Sequence, residues 1–352
     1  MKPEKIRIKT IIKICVVLIC CAVAVASVYN DYGMYSRTVA EVVHVDNTGN
    51  EQHLTLQIKN NDRKGDTLKL KNDYDPSLVY DDKYHKRDQV FLSDNENSIT
   101  GVKRDYQIAA AVLLVFAMLI MFGGCQGKLT VITFLINVAV FALMMKLYIM
   151  GFDILWLVIP ACAIMSFVIL ASVCGLSVQI IPPLSATLLS ILAVGLLMFL
   201  LLRFGRPVDY DFLDFLPEPY SRAEANHFFF AQTVIGCLGA VIDITVTITA
   251  CSREIMRKNP SISAGQLISS VREISDDITG TMINVVFFTN IAATIPVFIV
   301  SMKNEVRFFT VIKYSAFFDI SRFLAGGTAI MIAILISVLI ASLFYGRKEA
   351  ER

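Results

Sequence analysis

The chain has 352 residues, 55% of them hydrophobic and only 18% charged, where a soluble domain of this size carries about 25% charged residues. The 32 Lys and Arg nearly balance the 30 Asp and Glu, for a net charge of +2, and no basic stripe marks a nucleic-acid surface. Charges crowd into residues 1–13, 36–105, 203–224, 252–277 and the last few positions, and the apolar runs between them reach the roughly 20 residues that a helix needs to cross a bilayer. Such a composition points away from a soluble enzyme and towards an integral membrane protein.

Residues 1–28 open with Lys2, Lys5, Arg7, Lys9 and Lys13 and then run apolar from Ile14 to Val28. Two readings stay open: a secretory signal peptide cleaved after Ala24-Val25-Ala26, or an uncleaved membrane anchor. Residues 29–105 are polar. Thr38 to Val45 is rich in β-branched residues, Leu54-Thr55-Leu56-Gln57-Ile58 alternates as a half-buried strand does, and Leu68-Lys69-Leu70 resumes the alternation after a turn holding Gly65. With a further strand at Gln89 to Leu92, the pattern predicts a small barrel or sandwich. The eight cysteines all lie in or beside apolar runs and none falls in 29–105, so this segment has no disulfide framework.

Further spans are expected near 106–122, 129–150, 154–173, 183–202, 226–250, 278–300 and 319–345. With the N-terminus inside, the inner segments hold thirteen Lys and Arg against six in the outer loops beyond residue 105. That bias places both termini in the cytoplasm. The reading is thus an α-helical polytopic membrane protein of about eight transmembrane helices with a small extracytoplasmic β-rich domain. Residues 1–28 are its anchor or signal peptide, 29–105 its outer domain, 106–345 its membrane domain and 346–352 a cytoplasmic tail. Two loops stand out. Residues 203–225 carry Asp209, Asp211, Asp214 and Glu218 among aromatic residues and prolines, on the outer side. Residues 252–277 place Ile262, Leu267, Ile268, Val271 and Ile274 roughly on one helical face after a cap at Pro260-Ser261-Ile262-Ser263; this helix either lies at the inner surface or packs on the bundle.

No phosphate-cradling glycine loop, nucleophile elbow or zinc-protease motif is present. His44, His53 and His85 lack metal-ligand spacing and His227 stands alone, so neither a metal nor a cofactor is expected. The informative residues are polar ones inside the spans, where an ionisable group costs about 2.5–3.5 kcal/mol on insertion scales. Gly236, Gly239, Ala240 and Asp243 recur at spacings of three and four and share a helical side, continued by Thr247. Small residues there admit a second helix close to the Asp243 carboxylate. In the next span Asp277, Gly280, Thr281 and Asn284 share a face. Asp319 and Arg322 sit at the i,i+3 spacing of an ion pair. Asp243, Thr281, Asn284 and Asp277 therefore form a candidate intramembrane ion or proton site; the competing reading has them merely bonding helices together.

These residues also carry a resemblance. Gly236-Cys237-Leu238-Gly239-Ala240-Val241-Ile242-Asp243, then Lys258-Asn259-Pro260, then Asp277-Ile278-Thr279-Gly280-Thr281-Met282-Ile283-Asn284 resemble the motifs of the YibE/F family of bacterial multi-pass membrane proteins. Asn304-Glu305 and Asp319-x-x-Arg322 with Gly326 are similar to its closing segment, with Asp319 where Glu is usual, and Ser275-Asp276-Asp277 replaces the family's Gly-Arg-Asp. The resemblance implies a bacterial cell-membrane protein with a permease-like role and a related second membrane protein as partner. Two function classes follow: a transporter or permease component acting through the intramembrane site, or a scaffold for envelope assembly or signalling acting through the outer domain.

Overall fold

Residues 3–79, 81–205, 208, 210 and 221–350 are described by a computed structural model. The acidic positions Asp209, Asp211, Asp214 and Glu218 of the expected outer loop lie outside them. Two compact units emerge, Met1–Val131 and Ile132–Arg352.

In the first unit, helix α1 (Pro3–Tyr29) leads into strands β1 (Val39–Thr48), β2 (Glu51–Ile58), β3 (Thr67–Asp73), β4 (Gln89–Leu92) and β5 (Ile99–Val102). They form one antiparallel sheet in the order β3-β2-β1-β4-β5. The expected barrel or sandwich is corrected to an open sheet: β3 and β5 are its two edges, and no second sheet stands opposite among the described residues. Ala40, Val42, Leu54, Leu56, Val90 and Leu92 bury one face under Tyr84. The pairing register slips between Val42 and His44. Strict alternation would turn His44 into that core; the bulge shifts the phase by one residue and delivers Val45 to it instead.

Two buried amides replace a thicker core. The Gln52 Nε2 donates to the Tyr84 carbonyl (3.0 Å) while the Tyr84 N–H donates back to Gln52 Oε1 (2.9 Å), pinning the β3–β4 connection over the sheet. Asn60, 5% exposed, accepts from the Val39 N–H at 2.7 Å and donates to the carbonyls of Tyr32, Tyr35 and Arg37. An Asn60→Ala variant strands these backbone groups, so a loss of about 1–3 kcal/mol is expected. Urea or thermal unfolding of the purified protein reads it, and an unchanged midpoint would contradict this account.

Helix α2 (Asp105–Ile149) is two helices in sequence, broken at Gly124, whose φ of 58° and ψ of −120° are not helical. It is followed by α3 (Ile154–Cys174), α4 (Ile181–Phe204), α5 (Arg222–Lys258), α6 (Ala264–Ile291), α7 (Ile295–Lys303), α8 (Phe308–Val311) and α9 (Phe317–Ala350). Among the described residues, six stretches are long and apolar enough to cross a membrane: α2, α3, Val178–Phe204, α5, Gly265–Lys303 and Phe317–Phe344. A turn of 3₁₀ helix at Ala292–Thr294 separates α6 from α7, ending two residues before Pro296, whose ring cannot continue an α-helical ladder.

The second unit packs around α5, whose Phe229, Val234, Val241, Ile244 and Ile248 are buried among α3, α4 and α9. Small residues set the spacing. Ala325, Ala329 and Ala333 recur every fourth position along the buried side of α9. A Cβ on Gly326 would come within 2.8 Å of Val286 Cγ1, so glycine here is required by the close approach of α6. The amphipathic segment after residue 260 is the first half of α6. It opens with a reciprocal cap between Ser263 and Gln266, and Leu267 and Val271 are buried in the bundle core. Part of its apolar face thus packs on the bundle, while Ile268 stays exposed.

Candidate functional site

Helix α5 starts from a capping box in which Ser221 accepts from the Glu224 N–H and the Glu224 side chain reaches back. Its apolar positions are spaced to bury most of the circumference. Asp243 interrupts the run fifteen residues before Lys258, roughly 22 Å along the axis at about 1.5 Å per residue. Ile242 and Ile244 on either side are buried, whereas Asp243 is exposed. Its carboxylate makes no hydrogen bond or ion pair with any described residue, although its carbonyl accepts from the Thr247 hydroxyl at 2.8 Å. Gly236 and Gly239 lie exposed on the same side, with Ala240 half-buried. A Cβ added to Gly236 or Gly239 would meet nothing within 4 Å. The helix that small residues were expected to admit is therefore not supplied by the described chain.

Helix α6 shows the same pattern. Asp277, Gly280, Thr281 and Asn284 are all exposed, and Gly280 too has open space where a Cβ would stand. Thr281 donates to the Ile278 carbonyl at 2.9 Å and Asn284 Nδ2 to the Gly280 carbonyl at 2.8 Å. Both side chains thus donate to their own helix, and the Asn284 amide oxygen has no partner among the described residues. No hydrogen bond joins Asp243 to Thr281, Asn284 or Asp277 there. What the structure offers is two open polar faces on consecutive helices rather than a closed site.

The bundle interior holds polar groups of another kind. Thr187 and Thr245 share a hydrogen bond between their hydroxyls at 2.8 Å, linking α4 to α5 in a fully buried setting. Ser166, Ser190, Thr249, Ser252 and Ser337 are buried and donate to carbonyls of their own helices. The Thr187–Thr245 bond joins two helices without charge, and the other hydroxyls are satisfied within their own helices. Asp319, 8% exposed, pairs with Arg322 one turn on. Among the described residues no group of three or more His, Cys, Asp or Glu is placed to bind a metal ion.

The first unit contains a site that sequence reasoning missed. Lys103 follows β5 and is completely buried. Its Nζ donates to the Val28 carbonyl (2.7 Å), forms ion pairs with Asp31 Oδ1 (2.8 Å) and Asp105 Oδ1 (3.1 Å), and lies 5.8 and 5.4 Å from the ring centroids of Tyr32 and Tyr35. One ammonium thereby ties the end of α1, the segment after it and the start of α2 to the sheet. The Tyr35 hydroxyl donates to Asp105 Oδ2, and this hydrogen bond is the main cause that pushes the phenol up to about 12. For Tyr32 burial is the first cause of a similar rise to about 12. The only signal available in the sequence was a lysine between a strand and a span, with an aspartate just beyond each of two span ends.

No curated protein and no solved structure matches the chain. The family described as YibE/F-like protein matches residues 111–347, and the YibE/F family N-terminal domain matches residues 33–106. Together these matches cover nearly the whole length, and they join a helical region carrying the motifs at Gly236–Asp243 and Asp277–Asn284 to the sheet that precedes it. The chain belongs to the YibE/F-like family.

Proposed function

We propose that this protein is a transporter or permease component of a bacterial cell membrane. It has eight spans: α1, the two halves of α2, α3, α4, α5, α6 with α7, and α9. Both termini face the cytoplasm, and the sheet stands outside. Asp243 takes up a proton or a cation, and Thr281, Asn284 and Asp277 supply oxygen ligands or hydrogen bonds around the same path. One observation carries this reading: a carboxylate well inside an apolar helix, exposed and unpartnered among the described residues. Leaving it in lipid costs about 2.5–3.5 kcal/mol on insertion scales, an expense that a purely structural residue does not require. A related second membrane protein completes the path by covering these faces.

The test compares the chain with its Asp243→Asn variant, each together with its partner, for proton- or cation-dependent uptake into sealed vesicles. The amide keeps the shape and loses the charge, so abundance and thermal midpoint should hold while flux falls at least tenfold. Ion-independent behaviour in both forms would remove the transport reading. The alternative, a scaffold acting through the outer sheet, would then show as loss of function on deleting residues 33–104.

A further inference from the structure

A second feature of the bundle lies away from Asp243. Helices α3, α4 and α5 enclose an apolar groove of about 380 Å³, lined by Trp156, Ile159, Gly195, Leu196 and Phe199 among others. That volume falls within the usual range for small-molecule sites. Its floor depends on Gly195, where a Cβ would stand 3.4 Å from Phe230 Cζ. Leu155, Phe199 and Phe230 line this groove and also a smaller recess of about 250 Å³, whose polar members are Arg203, Asn226 and His227. The two spaces adjoin at three shared side chains, one lined by apolar groups and the other carrying the Arg203 guanidinium.

The polar end lies where three helices begin or end. Arg203 is in the last turn of α4, Trp156 in the first turn of α3, and His227 in the second turn of α5. Trp156 is the single tryptophan of the chain and is 83% exposed. An amphipathic ring so placed marks the depth of lipid headgroups. Asp153 is already engaged: it caps α3 through the Leu155 N–H at 2.9 Å and faces His227 Nδ1 at 3.3 Å. Arg203 is exposed and makes no ion pair with a described carboxylate, which sets a guanidinium at the polar end of the apolar trough.

We propose that this groove is a binding site for one anionic phospholipid of the surrounding bilayer. An acyl chain lies over Gly195 between Trp156 and Phe199, and the headgroup phosphate is held by Arg203 beside Asn226 and His227. Charge complementarity selects this occupant over a neutral lipid, and the planar guanidinium suits a phosphate's paired oxygens.

Trp156 makes the site directly readable. The full chain is reconstituted in vesicles of phosphatidylcholine containing either brominated phosphatidylglycerol or brominated phosphatidylcholine, and quenching of the tryptophan is titrated. The anionic lipid is expected to quench at about fivefold lower mole fraction, the effect of one basic residue at a membrane surface. Arg203→Gln, at an exposed position, should bring the two lipids level. Gly195→Leu, which fills the trough, should do the same with Arg203 intact, its helix content being checked by circular dichroism. Arg203→Lys should keep part of the preference. Equal quenching in the unaltered protein would overturn the proposal and leave ordinary annular lipid only. Weak quenching by both lipids would overturn it in favour of a helix of a second copy seated in the groove. A preference that survives Gly195→Leu would also overturn it, because the charge alone would then act without a seated chain.

Discussion

Replacing Lys103 by methionine is expected to destabilise the N-terminal unit by about 3 kcal/mol, the lower end of the range for removing one partner of a buried ion pair. Methionine nearly matches the volume of the lysine stem, so packing is kept while the charge is lost. Asp31 and Asp105, with side chains 18% and 30% exposed, would then face each other across a site that no cation neutralises. The Val28 carbonyl would lose its donor as well. Partial exposure of both carboxylates limits the damage, which is why the lower end applies. Adding Asp31→Asn or Asp105→Asn to Lys103→Met should recover part of the loss, because an amide tolerates a neutral neighbour. Urea unfolding of the purified protein, with protease susceptibility of residues 29–105 as a local readout, checks the series. A Lys103→Met midpoint equal to that of the parent protein would show that the ammonium holds nothing together.

That cluster also marks where sequence reasoning stops. The long helices were legible because apolar runs leave a bilayer-length stretch little choice, and even the break inside Asp105–Ile149 coincides with Gly123-Gly124. Four of the five strands were legible from alternation and β-branched composition, but β5 and the sheet's closure were not: the slip at Val43 and the cover supplied by Tyr84 depend on pairing and on a loop that returns from far along the chain. Lys103 was invisible for a similar reason, since its partners stand at positions 28, 31 and 105 and no local period links them. Thr187 and Thr245, fifty-eight residues apart, read individually as ordinary hydroxyls of apolar helices. Along α5 the spacing grouped Gly236, Gly239 and Asp243 on one side, and all three are exposed. It could not say whether that side would turn inward, because small residues mark a close approach without naming the chain that makes it.

Gly239→Leu turns that ambiguity into a measurement. In the chain as described, a side chain at this position enters open space, and exchanging glycine for leucine within a helix is worth close to 1 kcal/mol in propensity. The thermal midpoint of the isolated protein should therefore stay level or rise. If a helix of a second membrane protein closes over Gly236, Gly239 and Asp243 to form the path, the added isobutyl group strikes it one turn from the carboxylate. Association and ion-coupled flux should then be lost together, by tenfold or more. Such an outcome, a chain at least as stable that no longer works, is one that neither loss of folding nor a lipid-facing glycine can produce. Gly280→Leu on α6, where the space is equally open, should behave alike if one partner covers both faces, and should leave flux intact if only α5 is covered. Full activity in both variants would mean that lipid is the neighbour of Asp243. The carboxylate would then have to exchange its proton or cation directly at the bundle surface, without a second helix to shield it.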